Sequence, residues 1–176
     1  TIDALAKQNG SAEIEAYISG LEESFALFNQ AKLCTDPILN LLLLRFRDDC
    51  NAKNIQFHCD VRENSTTFLN ASSITTLYGN LLSNALENAL HAGQRQKQAG
   101  KPAVVETTAY EKDGRLFVQI ANSCSFPVQF DAQGVPTTSQ PGHGLGVRSI
   151  CAIVEQYGGM YSFARQQDQF VLRISL

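Results

Sequence analysis

The chain has 176 residues, of which 44% are hydrophobic, enough for one well-cored domain with a smaller appendage. Its formal charge of -3 supplies no basic field, which argues against binding of nucleic acid through bulk electrostatics, and any anion must be held locally. Five dispersed cysteines without a Cys-x-x-Cys pair exclude the usual zinc and dithiol frameworks and fit reduced thiols in a cytosolic setting.

The apolar run Leu41 to Leu44, with Ile38 and Leu39 just before it, is far short of the roughly 20 residues of a membrane span, and no signal peptide is present. The chain opens on Thr1, not Met, which predicts a piece of a longer protein and leaves open a membrane anchor outside it. Residues 1 to 9 read as the end of a helix closed by Asn9-Gly10, and Ser11 is a good N-cap for the next. There Ile14, Tyr17, Ile18, Leu21, Phe25 and Phe28 form an apolar stripe close to a coiled-coil seam. That stripe is either a packing face in a helical hairpin or half of a homodimer interface.

Asp36-Pro37 is an N-cap followed by proline at the first helical position, which predicts a helix to about Ala52. From Ile55 to Val61 apolar and polar residues alternate, the pattern of a strand with one buried face. The change of period places a boundary near residues 50 to 54, with a helical segment over 1–53 and the main domain over 54–176. A helix from about Ser72 to Gln98 follows, then strands Ala103 to Tyr110 and Arg115 to Ala121 joined by the hairpin signal Lys112-Asp113-Gly114. Asn122 to His143 reads as a long irregular segment, more often a functional lid than a mere connection. Leu145 to Tyr157 is helical by pattern, Gly158-Gly159 stops it, and Met160 to Arg165 with Phe170 to Leu176 make a final hairpin. The order predicts an α+β fold, a mixed sheet with helices on one face.

Two stretches carry the chemistry. On the long helix Asn80, Asn84 and Asn88 fall one turn apart on one face with Glu87 beside them, while Leu77, Leu81, Leu82 and Ala85 point into a core. Gly142-His143-Gly144-Leu145-Gly146 lies where the lid meets a helix N-terminus; glycines admit close backbone approach, and the free N–H groups and helix dipole favour an anion such as phosphate. A P-loop is excluded because no Gly-Lys-Ser/Thr follows, and a dinucleotide fingerprint is disfavoured because the run does not follow a strand. A phosphate site without lysine needs a cation, and a carboxamide oxygen is a hard, neutral ligand for Mg²⁺, with Asn84 the best candidate. Arg148, in the first turn after the glycines, is within reach of a phosphate, though an exposed arginine there needs no function.

Together Asn80-Leu81-Leu82-Ser83-Asn84-Ala85 and Gly142-His143-Gly144-Leu145-Gly146 resemble the N box and glycine box of the GHKL ATP-binding domains. The resemblance is nearest to sensor histidine kinases of the peptide-pheromone (quorum-sensing) receptor subgroup, and covers roughly residues 55 to 176. It implies a Bergerat-type two-layer sandwich holding ATP and Mg²⁺, with Asn84 as metal ligand and Gly142, His143, Gly144, Leu145 and Gly146 shaping the lid around the phosphates. Asn80 stands where hydrolysing relatives place a water-activating glutamate; an amide is no general base, so the catalysis implied is transfer to a protein histidine, not hydrolysis. At the adenine end Asn122 replaces the usual aspartate and would accept the adenine amino group more weakly. Asn88 and Glu87 are candidates for adenine-side contacts beside the plainer reading of a solvated helix edge.

None of His58, His91 and His143 suits a phosphoacceptor, so the resemblance implies an acceptor histidine upstream, a response regulator as partner, and a cytoplasmic setting in a membrane-anchored receptor. Two competing expectations are a GHKL nucleotide-binding or protein-interaction module without turnover, and a serine kinase acting on an anti-anti-sigma partner; the long helices before residue 54 argue against the latter.

Overall fold

The computed structural model describes residues 18–19, 32–62, 69–96, 102–137 and 144–176. The chain divides into two compact units, Thr1–Lys32 and Leu33–Leu176. In the first, residues 18 and 19 are helical, and the remaining expectations for the first two helices lie outside the described residues.

The second unit opens with α1 (Pro37–Ala52), begun as the sequence predicts: the Asp36 carboxylate accepts a hydrogen bond from Leu39 N at 2.8 Å and proline takes the first turn. Leu39, Leu43 and Phe46 turn inward from α1, and Phe46 meets Phe57 of β1 (Ile55–Val61) edge to face at 4.9 Å. The helix preceding residue 54 therefore shares one core with the sheet. Asn40 is buried in the same apolar helix because its Oδ1 accepts from Leu33 N and Cys34 N, tying down the chain that enters α1.

After β1 come α2 (Ala71–Gln96), β2 (Ala103–Lys112) and β3 (Arg115–Ser123). The β2–β3 turn places Asp113 and Gly114 both at positive φ, 53° and 72°, as a two-residue hairpin requires. Within the expected irregular segment, residues 122–137 contain regular structure. Asn122 and Ser123 complete β3, and β4 (Gln129–Phe130) pairs with β5 (Pro136–Thr137) around a turn in which Asp131 Oδ1 accepts from Gln133 N and Val135 N, each at 2.9 Å. Then follow α3 (Leu145–Gln156), β6 (Met160–Gln166) and β7 (Gln169–Ser175).

The five-stranded sheet has the order β1-β2-β3-β7-β6. Only β1 and β2 are parallel, joined by the crossover through α2; every other neighbouring pair is antiparallel. This is the mixed α+β sheet expected from the element order, with α2 packed over β2 and β3 and beside α3. Leu77, Leu81, Leu82 and Ala85 of α2 are buried as the spacing predicted, together with Val105, Val118 and Ile174 of the sheet. Among the described residues no helix is long and apolar enough to cross a membrane.

Candidate functional site

Where α2, α3 and the β4–β5 hairpin surround the sheet, they leave a cleft of about 680 Å³, a volume suited to a drug-sized or nucleotide-sized ligand. Asn84 and Asn88 of α2, Asn122 of β3 and Gly144 at the start of α3 all line it. Residues 38 positions apart in sequence, Asn84 and Asn122, are brought together because α2 lies over β3.

Gly144 has φ 93° and N-caps α3 with no side-chain hydrogen bond; the N–H groups of a helix's first turn have no partner within the helix itself, which favours an anion at this end. One residue into that helix, Gly146 faces the asparagine row. A Cβ placed there would lie 3.1 Å from both polar atoms of the Asn84 carboxamide and 3.2 Å from Asn80 Oδ1. The third glycine of the run thus acts as a steric gap that lets α3 approach the two amides.

Asn80 itself does not line the cleft. Its Nδ2 donates to Thr76 O at 2.7 Å, which orients Oδ1 toward Gly146. Leu145 is 68% exposed and is likewise absent from the cleft wall. Gly142 and His143 lie outside the described residues.

At the opposite end Asn122 is only 2% exposed, and its Nδ2 donates to Ser123 O at 2.9 Å. The carboxamide is thereby held with its oxygen as the remaining acceptor. Ile120 and Leu172, cross-strand partners on β3 and β7, form apolar floor beside it. Phe163 and Phe170 also line the cleft and stack with centroids 6.1 Å apart. Sequence reasoning missed that aromatic pair: its only signal was the alternation of the last hairpin, which does not say what the strand faces. Phe126 and Pro127 close the wall from the loop after β3. Glu87 and His91 complete the α2 side.

The donors fit a cation that brings most of its own ligands. Among the described residues no group of three His, Cys, Asp or Glu side chains is placed to hold a metal, so an all-protein cage is absent there. A single neutral oxygen from Asn84, beside an anion-favouring helix start, suits Mg²⁺ that takes its other ligands from phosphate and water.

A profile of the GHKL domain family matches residues 69–176, and the chain belongs to that family. Its fold is that of histidine kinase catalytic domains. A nucleotide-free catalytic domain of the histidine kinase ThkA superposes with a TM-score of 0.60 at 18% identity, over 79% of this chain and 90% of that one. The mycobacterial sensor histidine kinase MprB gives 0.54 at 18% identity over 79% of this chain and 92% of its own. Full-length ShkA in complex with AMPPNP gives 0.57 at 18% identity, over 94% of this chain and 39% of its own. At such identities the likeness is one of fold. No match is found among curated proteins.

Proposed function

We propose that the chain is the ATP-binding catalytic domain of a two-component sensor histidine kinase, which transfers the γ-phosphoryl group of ATP to a histidine upstream of residue 1. The observation that carries this reading is that Asn84, Asn122 and Gly144, from α2, β3 and the start of α3, line one cleft.

Asn122 accepts the exocyclic amino group of adenine through Oδ1, with Nδ2 already committed to Ser123 O. Ile120 and Leu172 exclude water beneath the base. The first-turn N–H groups of α3, opened by Gly144 and followed by Leu145 and Gly146, receive phosphate oxygens, with Gly142 and His143 assigned to the same loop. Asn84 would hold Mg²⁺ through its carboxamide oxygen, and Asn88, one turn on, is assigned to the adenine side of the cleft. A Mg²⁺ ion held there would supply charge neutralisation for the phosphates. Asn80 offers no base for water, whereas a neutral imidazole attacks without one; histidine transfer is favoured over hydrolysis.

Asn122 in place of a carboxylate and the His-Gly-Leu-Gly run support placement in the peptide-pheromone receptor subgroup, hence in quorum sensing. On this reading residues 1–53 derive from the C-terminal part of the dimerisation and phosphoacceptor region, with α1 docked on the catalytic core. The partners are then a second copy through the N-terminal helices and a response regulator, at the cytoplasmic side of a membrane-anchored receptor. A longer chain that includes the upstream helix, incubated with labelled ATP and Mg²⁺, should gain acid-labile, base-stable phosphate on histidine. Nucleotide binding without such phosphate would instead favour a module that kept the fold and lost turnover.

A further inference from the structure

From Asn122 to Gln133 the chain contains no glycine, yet this stretch leaves the sheet sharply and presents Phe126 and Pro127 to the cleft. With no glycine to give the backbone left-handed freedom, the path of this stretch is set by the hydrogen bonds that hold its carbonyls and N–H groups. The structure supplies them from the β6–β7 hairpin. Cys124 N donates to Asp168 O at 2.7 Å, Arg165 Nε donates to Phe126 O at 3.1 Å, and Arg165 Nη2 donates to Cys124 O at 3.4 Å. The Cys124 thiol adds a contact to Phe126 O at 3.4 Å.

Phe163 and Arg165 are two residues apart on β6 and so leave the strand on the same face, one lining the cleft and the other reaching the loop root. The planar guanidinium fork spans two carbonyls just past the end of β3, a geometry a lysine ammonium does not reproduce. We propose that Arg165 is a positioning residue that clamps the Cys124 and Phe126 carbonyls and so sets the place of Phe126 and Pro127 on the cleft wall. The clamp serves the nucleotide site proposed above and rests on that reading for its effect on ligand affinity, but not for its effect on the loop.

Cys124 is fully buried, which makes its thiol a reporter of the loop root that needs no nucleotide. Wild type, Arg165→Met, Arg165→Lys and the control Arg173→Met would be treated with iodoacetamide, and labelling at each cysteine followed by peptide mass spectrometry. Arg173 donates to Gln119 Oε1 on the adjacent strand, so it controls for the loss of an exposed arginine bonded elsewhere on the sheet. Loss of hydrogen bonds from a charged donor predicts Cys124 labelling about tenfold faster in both Arg165 variants and unchanged in Arg173→Met. Labelling at the wild-type rate in Arg165→Met would overturn the clamp, and wild-type behaviour in Arg165→Lys alone would assign the effect to charge and overturn it too. Titration of the same proteins with Mg-ATP should show affinity weakened about tenfold by either Arg165 substitution. Wild-type affinity alongside accelerated labelling would overturn the positioning role. No ATP binding by wild type would instead bring down the nucleotide-site reading, leaving the labelling ratio to decide the clamp.

Discussion

Substituting Gly146 by alanine perturbs the site without deleting any proposed ligand. The new methyl would sit 3.1 Å from both polar atoms of the Asn84 carboxamide and 3.2 Å from Asn80 Oδ1, so those amides must yield by a few tenths of an ångström. Two effects oppose each other in stability. Overpacking typically costs about 1–3 kcal/mol, while exchanging glycine for alanine in a helix returns up to about 1 kcal/mol. The net destabilisation should lie between near zero and about 2 kcal/mol, and the fold should survive. Ligand affinity has no such offset, because the displaced group is the proposed Mg²⁺ ligand; a loss of at least about tenfold, or about 1.4 kcal/mol, is expected. Gly79→Ala provides the comparison on α2. A Cβ there meets nothing within 4 Å, so it should stabilise the helix by about 1 kcal/mol and leave binding unchanged. Urea unfolding and calorimetric titration with Mg-ATP measure both quantities. The reasoning is refuted if folded Gly146→Ala binds Mg-ATP as tightly as wild type, or if Gly79→Ala weakens binding equally.

Three further outcomes concern stability. Asn122→Asp should destabilise by about 1–3 kcal/mol at neutral pH, because a carboxylate oxygen would replace the amide nitrogen facing Ser123 O; the loss should shrink in acid, and equal urea midpoints at pH 7 would contradict it. Asp36→Ala removes the N-cap of α1 and should cost about 1 kcal/mol in the same assay, with little effect on ligand binding. Burial, aided by Asp49, pushes the Cys50 thiol up from 9.0 to about 11. The unfolded chain therefore loses that proton first, so the stability it contributes is complete below about pH 9 and falls as pH rises toward about 11. Cys50→Ala should flatten this alkaline slope relative to wild type, and parallel slopes would contradict the assignment.

Elements specified by neighbouring residues were legible in the sequence. Asp36-Pro37 marks the start of α1, alternation marks β1, and Asp113-Gly114 marks a turn that takes positive φ at both positions. The β4–β5 hairpin was not legible, since two-residue strands carry no periodicity and Asp131 builds the turn with its side chain. Nor could local pattern show that α1 shares a core with the sheet, which depends on the distant contact of Phe46 with Phe57. At the cleft, the amide spacing and the glycine run pointed to segments of which Asn84, Asn88 and Gly144 line the wall. The different work of the glycines was hidden, with Gly144 supplying a left-handed cap and Gly146 an empty space against Asn84. Arg165 and Phe163 escaped notice because their neighbours in space are distant in sequence, Cys124 lying 41 residues from Arg165 and the α2 side of the cleft further still from Phe163.

The most direct test is calorimetric titration of wild type and Asn84→Ala with ATP in the presence and absence of Mg²⁺, with thermal unfolding as a check on folding. Asn84 is half-buried at the cleft wall, so its truncation should leave the core intact. Wild type should bind ATP in a Mg²⁺-dependent manner and folded Asn84→Ala should show no Mg-dependent binding. Mg-ATP binding by Asn84→Ala equal to wild type would contradict the placement of the metal and, with it, the reading of the cleft.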